Sequence, residues 1–258
     1  MIRFGVAGLG GVKQAIANLK AYSELGIKAC EIAFTYGAYI KNKPDAIKIG
    51  KAAKNHDIQL SIHAPYWINL NSADKKIVEN SKKRILRSVE VASWLNAKRV
   101  VFHCGYYGKK EREETFQNIK LEVREILEVI NKNKWDVVLC PEIMGKKNVF
   151  GSIDEISRLV KETDCGFCID FAHVLARYEK YEIEAIKKAF PQKQWHCHFS
   201  GIEYGKSGEK HHKKTSVKNI KDLLKILPNN KKITVINESP DPVGDSVLSI
   251  RLSKKNQK

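Results

Sequence analysis

Short apolar runs alternate with longer helix-patterned stretches along the chain, and no Pro-, Ser- or Gly-rich linker interrupts the alternation. The apolar runs fall at 2–7, 28–34, 59–63, 99–103, 137–142, 165–169, 195–199 and 233–238. Helical patterns fill 12–25, 44–56, 72–95, 109–132, 154–163, 173–190 and 217–227, with Phe116, Ile119, Val123, Ile126, Leu127 and Ile130 marking one apolar face. Near-continuous apolar strands separated by helices read as parallel strands buried on both faces, because a helical crossover returns the chain to the same edge of the sheet. Eight such units in 258 residues match the count and size of a TIM (β/α)8 barrel, predicted as a single domain over residues 1–258. A doubly wound sheet is the rival. Its phosphate-binding turn would be Gly8-Leu9-Gly10-Gly11, but the third glycine of the fingerprint falls on Lys13.

The ends of the strands carry the chemistry. The third predicted strand ends in His63, the fourth in His103, the fifth in Glu142, the sixth in Asp170 with His173 beyond it, the seventh in His198 and the eighth in Glu238. In a closed parallel barrel these ends form one ring over the core, so the side chains must converge. Imidazoles with carboxylates suit zinc, with manganese or iron as substitutes, and disfavour calcium or magnesium. A single catalytic zinc keeps about three protein ligands and an open position. The ring therefore implies two or three ions, the arrangement used in phosphodiester hydrolysis.

Charge points the same way. Forty-six basic residues against twenty-nine acidic give a net +17, which suits a polyanionic partner, although a lysine-rich surface would give the same sum. Residues 1–8 lack the apolar length of a signal peptide, and nowhere do eighteen apolar residues run together, so a soluble, non-membrane chain is expected. The six cysteines lie on or beside apolar runs, as buried thiols in a reducing compartment would. A cytoplasmic monomer is the expectation. Cys165 and Cys168 have redox-motif spacing but sit in a predicted strand, away from the helix N-terminus that would activate a thiolate. His196 shares a strand face with His198 and is expected inside the barrel with its hydrogen bond satisfied.

Ser61-Ile62-His63-Ala64-Pro65-Tyr66, Val101-Phe102-His103-Cys104-Gly105, Pro141-Glu142, Ile169-Asp170-Phe171-Ala172-His173, His198-Phe199-Ser200 and Asn237-Glu238 together resemble the signature segments of endonuclease IV, the zinc-dependent apurinic/apyrimidinic endonuclease family. The resemblance spans nearly the whole chain, and the order and spacing of the segments are more specific than any one of them. It implies a hydrolase that cleaves duplex DNA 5′ of abasic sites with three zinc ions. On that resemblance His63 and His103 hold one ion, Asp170, His198 and Glu238 a second, and Glu142 bridges the two at the catalytic centre. His173 holds the third with His211 and Glu209, where the family carries aspartate in place of Glu209, and Lys213-Lys214-Thr215 replace the family's glycines. The chain is thus identified as a divergent member. Tyr66 is implied to reach into DNA at the lesion. The loop 36–43, with Tyr39, Lys41 and Lys43, mixes aromatic and basic residues in the manner of phosphate contact and base stacking. The alternative from another class is a sugar isomerase or epimerase of the related barrel superfamily. It needs fewer ions and gains nothing from +17.

Overall fold

The computed structural model describes residues 2–255. The strands are β1 (Ile2–Ala7), β2 (Ala29–Ala33), β3 (Gln59–His63), β4 (Arg99–Phe102), β5 (Val138–Pro141), β6 (Ile169–Asp170), β7 (Gln194–Phe199), β8 (Gly201–Gly205), β9 (Gly208–Lys213) and β10 (Lys232–Asn237). Eight of them pair in the order β5-β4-β3-β2-β1-β10-β7-β6, with every pairing in that sheet parallel. The two ends of the sheet meet: Gly166 N donates to Leu139 O at 2.8 Å, Cys168 N to Pro141 O at 2.9 Å, and Ile143 N to Cys168 O at 3.1 Å. These bonds close the ring between β5 and β6. The fold is a TIM barrel, as the alternation predicts.

Helices α1 (Ala15–Glu24), α2 (Lys43–Asn55), α3 (Lys75–Leu95), α4 (Arg112–Lys132), α5 (Ile153–Thr163), α6 (Phe171–Tyr178), α7 (Ile183–Ala189), α8 (Val217–Ile226) and α9 (Pro242–Lys255) connect the strands or follow the last of them. Their starts are set locally. Asn42 caps α2 with Pro44 in the first turn, Asp74 caps α3, and Ser152 and Glu155 form a reciprocal capping box on α5. The faces of α4 at Phe116, Ile119, Val123, Ile126 and Ile130 are buried in the core, as their spacing predicts, while Leu127 is partly buried against it.

Two expectations need correction. The sixth strand, expected over 165–169, is regular only at Ile169–Asp170, because Gly166 and Cys168 bond irregularly across the closing seam. The helix expected over 173–190 is two helices: Asp170 caps α6 so that it begins at Phe171, and left-handed Glu179 and Glu182 (φ 62° and 44°) break it from α7. The chain between β7 and α8 adds an antiparallel hairpin, β8 against β9. No helix among the described residues is long and apolar enough to cross a membrane.

Candidate metal centre

Of the six strand ends singled out in the sequence, His63, His103 and His198 surround a fourth, the Glu142 carboxylate, and the remaining two, Asp170 and Glu238, join Glu142 and His198 in one donor set. Glu142, directly after β5 and 1% exposed, places Oε2 3.2 Å from His63 Nε2 and 3.0 Å from His103 Nε2. Its other oxygen, Oε1, lies 3.0 Å from His198 Nδ1 and 3.4 Å from His173 Nδ1. Glu238, after β10, reaches His198 Nδ1 at 3.4 Å, and Asp170 Oδ2 lies 3.4 Å from His173 Nδ1. Three overlapping donor sets result: His63, His103 and Glu142; Glu142, Asp170, His198 and Glu238; and Asp170, His173 and His212, with the candidate ligand atoms of each set within 4.8 Å of one another.

The third set differs from the expectation. It was predicted to use His211, but His211 is exposed on the hairpin, opposite Glu203, and His212 stands against His173 instead, Nε2 to Nε2 at 3.2 Å. The reason is strand parity. Successive side chains of β9 point to opposite faces, and a bulge at Lys210, the extra residue between the pairs Glu203–His211 and Tyr204–Glu209, shifts the alternation so that Glu209 and His212 share the barrel face. Glu209 points inward, with Oε2 3.4 Å from His173 Nε2. Gly208, in a left-handed conformation (φ 94°), lets the hairpin turn press onto the loop after β5, where Lys147 N donates to Ser207 O at 3.1 Å. Gly145 in that loop makes room for the acid: a Cβ there would lie 2.8 Å from Glu209 Cβ and 3.1 Å from His173 Cδ2. Neither the hairpin register nor Gly145 left a signal in the sequence pattern.

The hydrogen bonds around the ring leave bare lone pairs facing one another. His63 Nδ1 donates to Ala64 O at 2.7 Å, so a neutral ring turns an unprotonated Nε2 toward Glu142. His173 Nδ1 donates to Ile143 O at 3.0 Å. The Ser200 hydroxyl donates to Gly201 O at 2.9 Å and accepts from His212 Nδ1 at 2.8 Å. Neutral His173 and His212 would therefore confront two unprotonated nitrogens at 3.2 Å. Asp170 adds a buried Oδ2 with no hydrogen-bond donor. Buried acceptors in this arrangement require either protons or cations between them, so the residues fit metal ions.

The proton affinities report the same demand. Burial disfavours imidazolium, yet Glu142, by hydrogen bond and charge, with Glu238 and Glu31, raises His63 to about 8. Burial likewise opposes protonation of His173, but Asp170, Glu142 and Glu209 raise it to about 10. For Glu142, burial favours the neutral acid and is outweighed by His198, His103 and His173, which hold it well below the usual carboxylate range. Burial raises Asp170, with His173 and His212 opposing. These are the atoms a metal would take over from protons.

A model of the xylose isomerase-like TIM barrel family matches residues 19–255 of this sequence. The chain belongs to that family. Among its relatives, an uncharacterized protein of Methanocaldococcus jannaschii is 36% identical over 97% of this chain and 96% of its own length. A probable endonuclease 4 of Mycobacterium marinum is 26% identical over 66% of this chain and 67% of its own. In fold, the chain is similar to endonuclease IV from Thermus thermophilus (TM-score 0.74, 18% identity, 98% and 99% of the two chains) and to a D-tagatose 3-epimerase-like protein (0.72, 19%, 99% and 100%). The xylose isomerase-like fold is thus common to nuclease-named and epimerase-named structures, and it alone does not choose between them.

In this xylose isomerase-like barrel the ring opens into a cavity of about 490 Å³, lined also by Tyr66, Tyr106, Met144 and Lys146. Tyr66 is half-exposed at the mouth, its ring 5.4 Å from that of His63 and 5.5 Å from that of His103. From Tyr66 a shallow groove continues past Trp67, Ile77, Asn80 and Arg84, and a second passes Lys83 and Arg87. Of the loop residues expected to meet nucleic acid, Lys41 and Lys43 are exposed. Tyr39 is turned inward, its hydroxyl donating to Gly10 O at 3.0 Å and its ring packed edge-on against Phe34. His196 is 2% exposed and donates from Nε2 to Glu31 at 2.8 Å, the interior hydrogen bond expected of it, while its buried Nδ1 has no partner. All six cysteines are free and buried, and burial pushes the Cys165 thiol up to about 11, so the pair has none of the acidity of a redox motif.

Proposed function

We propose that this protein is a DNA-repair endonuclease that hydrolyses the phosphodiester 5′ of abasic sites at a centre of two or three zinc ions. The supporting observation is that the donor sets adjoin one another through shared Glu142 and Asp170 and open beside a basic groove that includes Lys83, Arg84 and Arg87. The residues His63, His103 and Glu142 would hold one ion, Glu142, Asp170, His198 and Glu238 the next, and His173, His212, Asp170 and Glu209 the third. Zinc bound there would supply positive charge to the phosphoryl oxygens and lower the pKa of water toward neutrality. The protein's own part is positioning. Glu142 keeps adjacent sites in register through its two oxygens. Tyr66 offers a ring face at the cavity mouth, where the sugar and partner base of a lesion would lie. Lys146 and the groove cations would bind the flanking phosphates, and Arg84 and Arg87 also brace the loops by donating to Trp67 O at 3.1 Å and Lys41 O at 2.9 Å. The probable endonuclease 4 relatives make the same reading the natural one for this chain.

The second reading is a metal-dependent sugar epimerase, favoured by a cavity whose volume suits a monosaccharide. Zinc content and strand cleavage measured on purified protein decide. Two to three zinc per chain with nicking of abasic but not intact duplex is the expected result. A zinc-loaded protein that leaves abasic duplex intact and epimerises a ketohexose refutes the nuclease.

A further inference from the structure

Beneath the ring lies a carboxylate that the proposed chemistry does not use. Glu31 sits inside β2 among Ala29, Cys30, Ile32 and Ala33 and is fully buried. A lone ionised carboxylate in such a place costs several kcal/mol unless it is paired and hydrogen-bonded. Glu31 is paired on every side. Its Oε2 accepts from Ser61 Oγ at 2.7 Å and from His196 Nε2 at 2.8 Å, and its Oε1 lies 2.7 Å from His198 Nε2. The last contact is off the N–H axis, so charge attraction rather than an aligned hydrogen bond sets it in this arrangement.

His198 is the residue that connects the two layers. Its Nδ1 faces Glu142 and Glu238 in the ring, and its Nε2 faces Glu31 below. An imidazole that offers a lone pair from Nδ1 must carry its proton on Nε2. In water that assignment is free to change; in the metal-free ring Nδ1 faces Glu142 at 3.0 Å, and cations that take over Glu142 and Glu238 leave Glu31 as the buried carboxylate that holds the proton, on Nε2. His196 is fixed the same way: Nε2 donates to Glu31, and its buried Nδ1 has no partner.

We propose that Glu31 is a positioning residue for the metal centre: its buried carboxylate, held by Ser61 and His196, keeps the proton of His198 on Nε2 and so presents a bare Nδ1 to the ion shared with Glu142, Asp170 and Glu238. It also raises the basicity of that nitrogen, as outer carboxylates do for ligating histidines. Ser61 and His196 act one layer further out, locking the carboxylate's orientation. The inference rests on the reading of the ring as a metal centre.

Glu31→Gln keeps the volume and removes the charge. Metal titration of the purified, metal-stripped protein should show affinity for one ion lowered about 10- to 100-fold, while the affinity of the His63 and His103 set changes little. NMR of the zinc-loaded protein supplies a readout that a merely structural role would not move: the His198 Nε2 proton should resonate far downfield in wild type, held by the Glu31 carboxylate, and shift upfield in Glu31→Gln. Ser61→Ala, which leaves the carboxylate in place, should lower the same affinity about fivefold, the effect of one hydrogen bond, and decides the matter if Glu31→Gln does not fold. Unchanged affinity and an unchanged His198 Nε2 proton resonance in folded variants overturn the proposal. Loss of a whole ion on His196→Ala also overturns it, since His196 would then be a ligand. A wild type that binds no zinc instead refutes the metal centre itself, and an Nε2 proton resonance that is the same in both zinc-loaded proteins refutes only the role of Glu31.

Discussion

Substituting the two adjacent histidines of the hairpin separately tests the third donor set against its own control. His212 Nε2 stands 3.2 Å from His173 Nε2, its Nδ1 proton is anchored on Ser200, and Glu209 lies 3.9 Å away. His211 is exposed on the opposite face of β9. His212→Ala removes one nitrogen from a three-residue set, and loss of even an outer partner of such a set lowers metal affinity about 10- to 100-fold. One ion per chain should be lost at micromolar zinc. If that ion stabilises charge on the scissile phosphate, turnover on abasic duplex should fall about 10²- to 10³-fold, the effect of one preorganised electrostatic group. His211→Ala touches an exposed side chain and should move stability by no more than about 0.5 kcal/mol and turnover about twofold. Elemental analysis and single-turnover cleavage on wild type and both variants make the comparison. A His211→Ala protein that loses zinc while His212→Ala keeps it would refute the assignment and place the hairpin one residue out of register.

Glu142→Gln exchanges one carboxylate oxygen for an amide that cannot ligate, so zinc content should fall by at least one ion and cleavage should disappear in a protein that still folds; an active variant removes Glu142 from the centre. Gly145→Ala places a methyl against Glu209 and His173, costing about 1–3 kcal/mol by overpacking, and should empty the third set while the first two stay loaded, as a zinc titration would show. In metal-free protein the rise of His63 from 6.5 to about 8 contributes about 2 kcal/mol that is fully present below the unfolded pKa and is lost as pH rises through about 8, so thermal stability should decline between pH 6.5 and 8. Zinc-loaded protein should do the opposite over that window, because metal displaces the same proton; parallel curves would contradict this. Lys83→Ala, in the second groove with Arg84 and Arg87, should weaken abasic-duplex binding and reduce the salt slope by about 0.9, with no change in zinc content.

The barrel was legible in the sequence because its determinants are local and repeated. Continuous apolar runs, the helical spacing of Phe116, Ile119, Val123 and Ile126, and the placement of His63, His103, Glu142, Asp170, His198 and Glu238 at strand ends need only the periods of helix and strand to be read. Closure then brings those ends together with no further information. What the sequence could not contain was the outcome of long-range choices. Whether His211 or His212 reaches His173 depends on a one-residue parity in a hairpin, and a slip of one reverses every side chain. Glu31 broke the apolar run of its strand, which was a signal of a kind. Its meaning came only from His196 and His198, 165 and 167 positions away along the chain and brought beside it by the packing of the barrel interior. The room for Glu209 likewise comes from Gly145, in a loop that only the docking of the hairpin sets against it. Local periodicity decided which residues lie at the mouth of the barrel, and tertiary packing decided which of their atoms face one another.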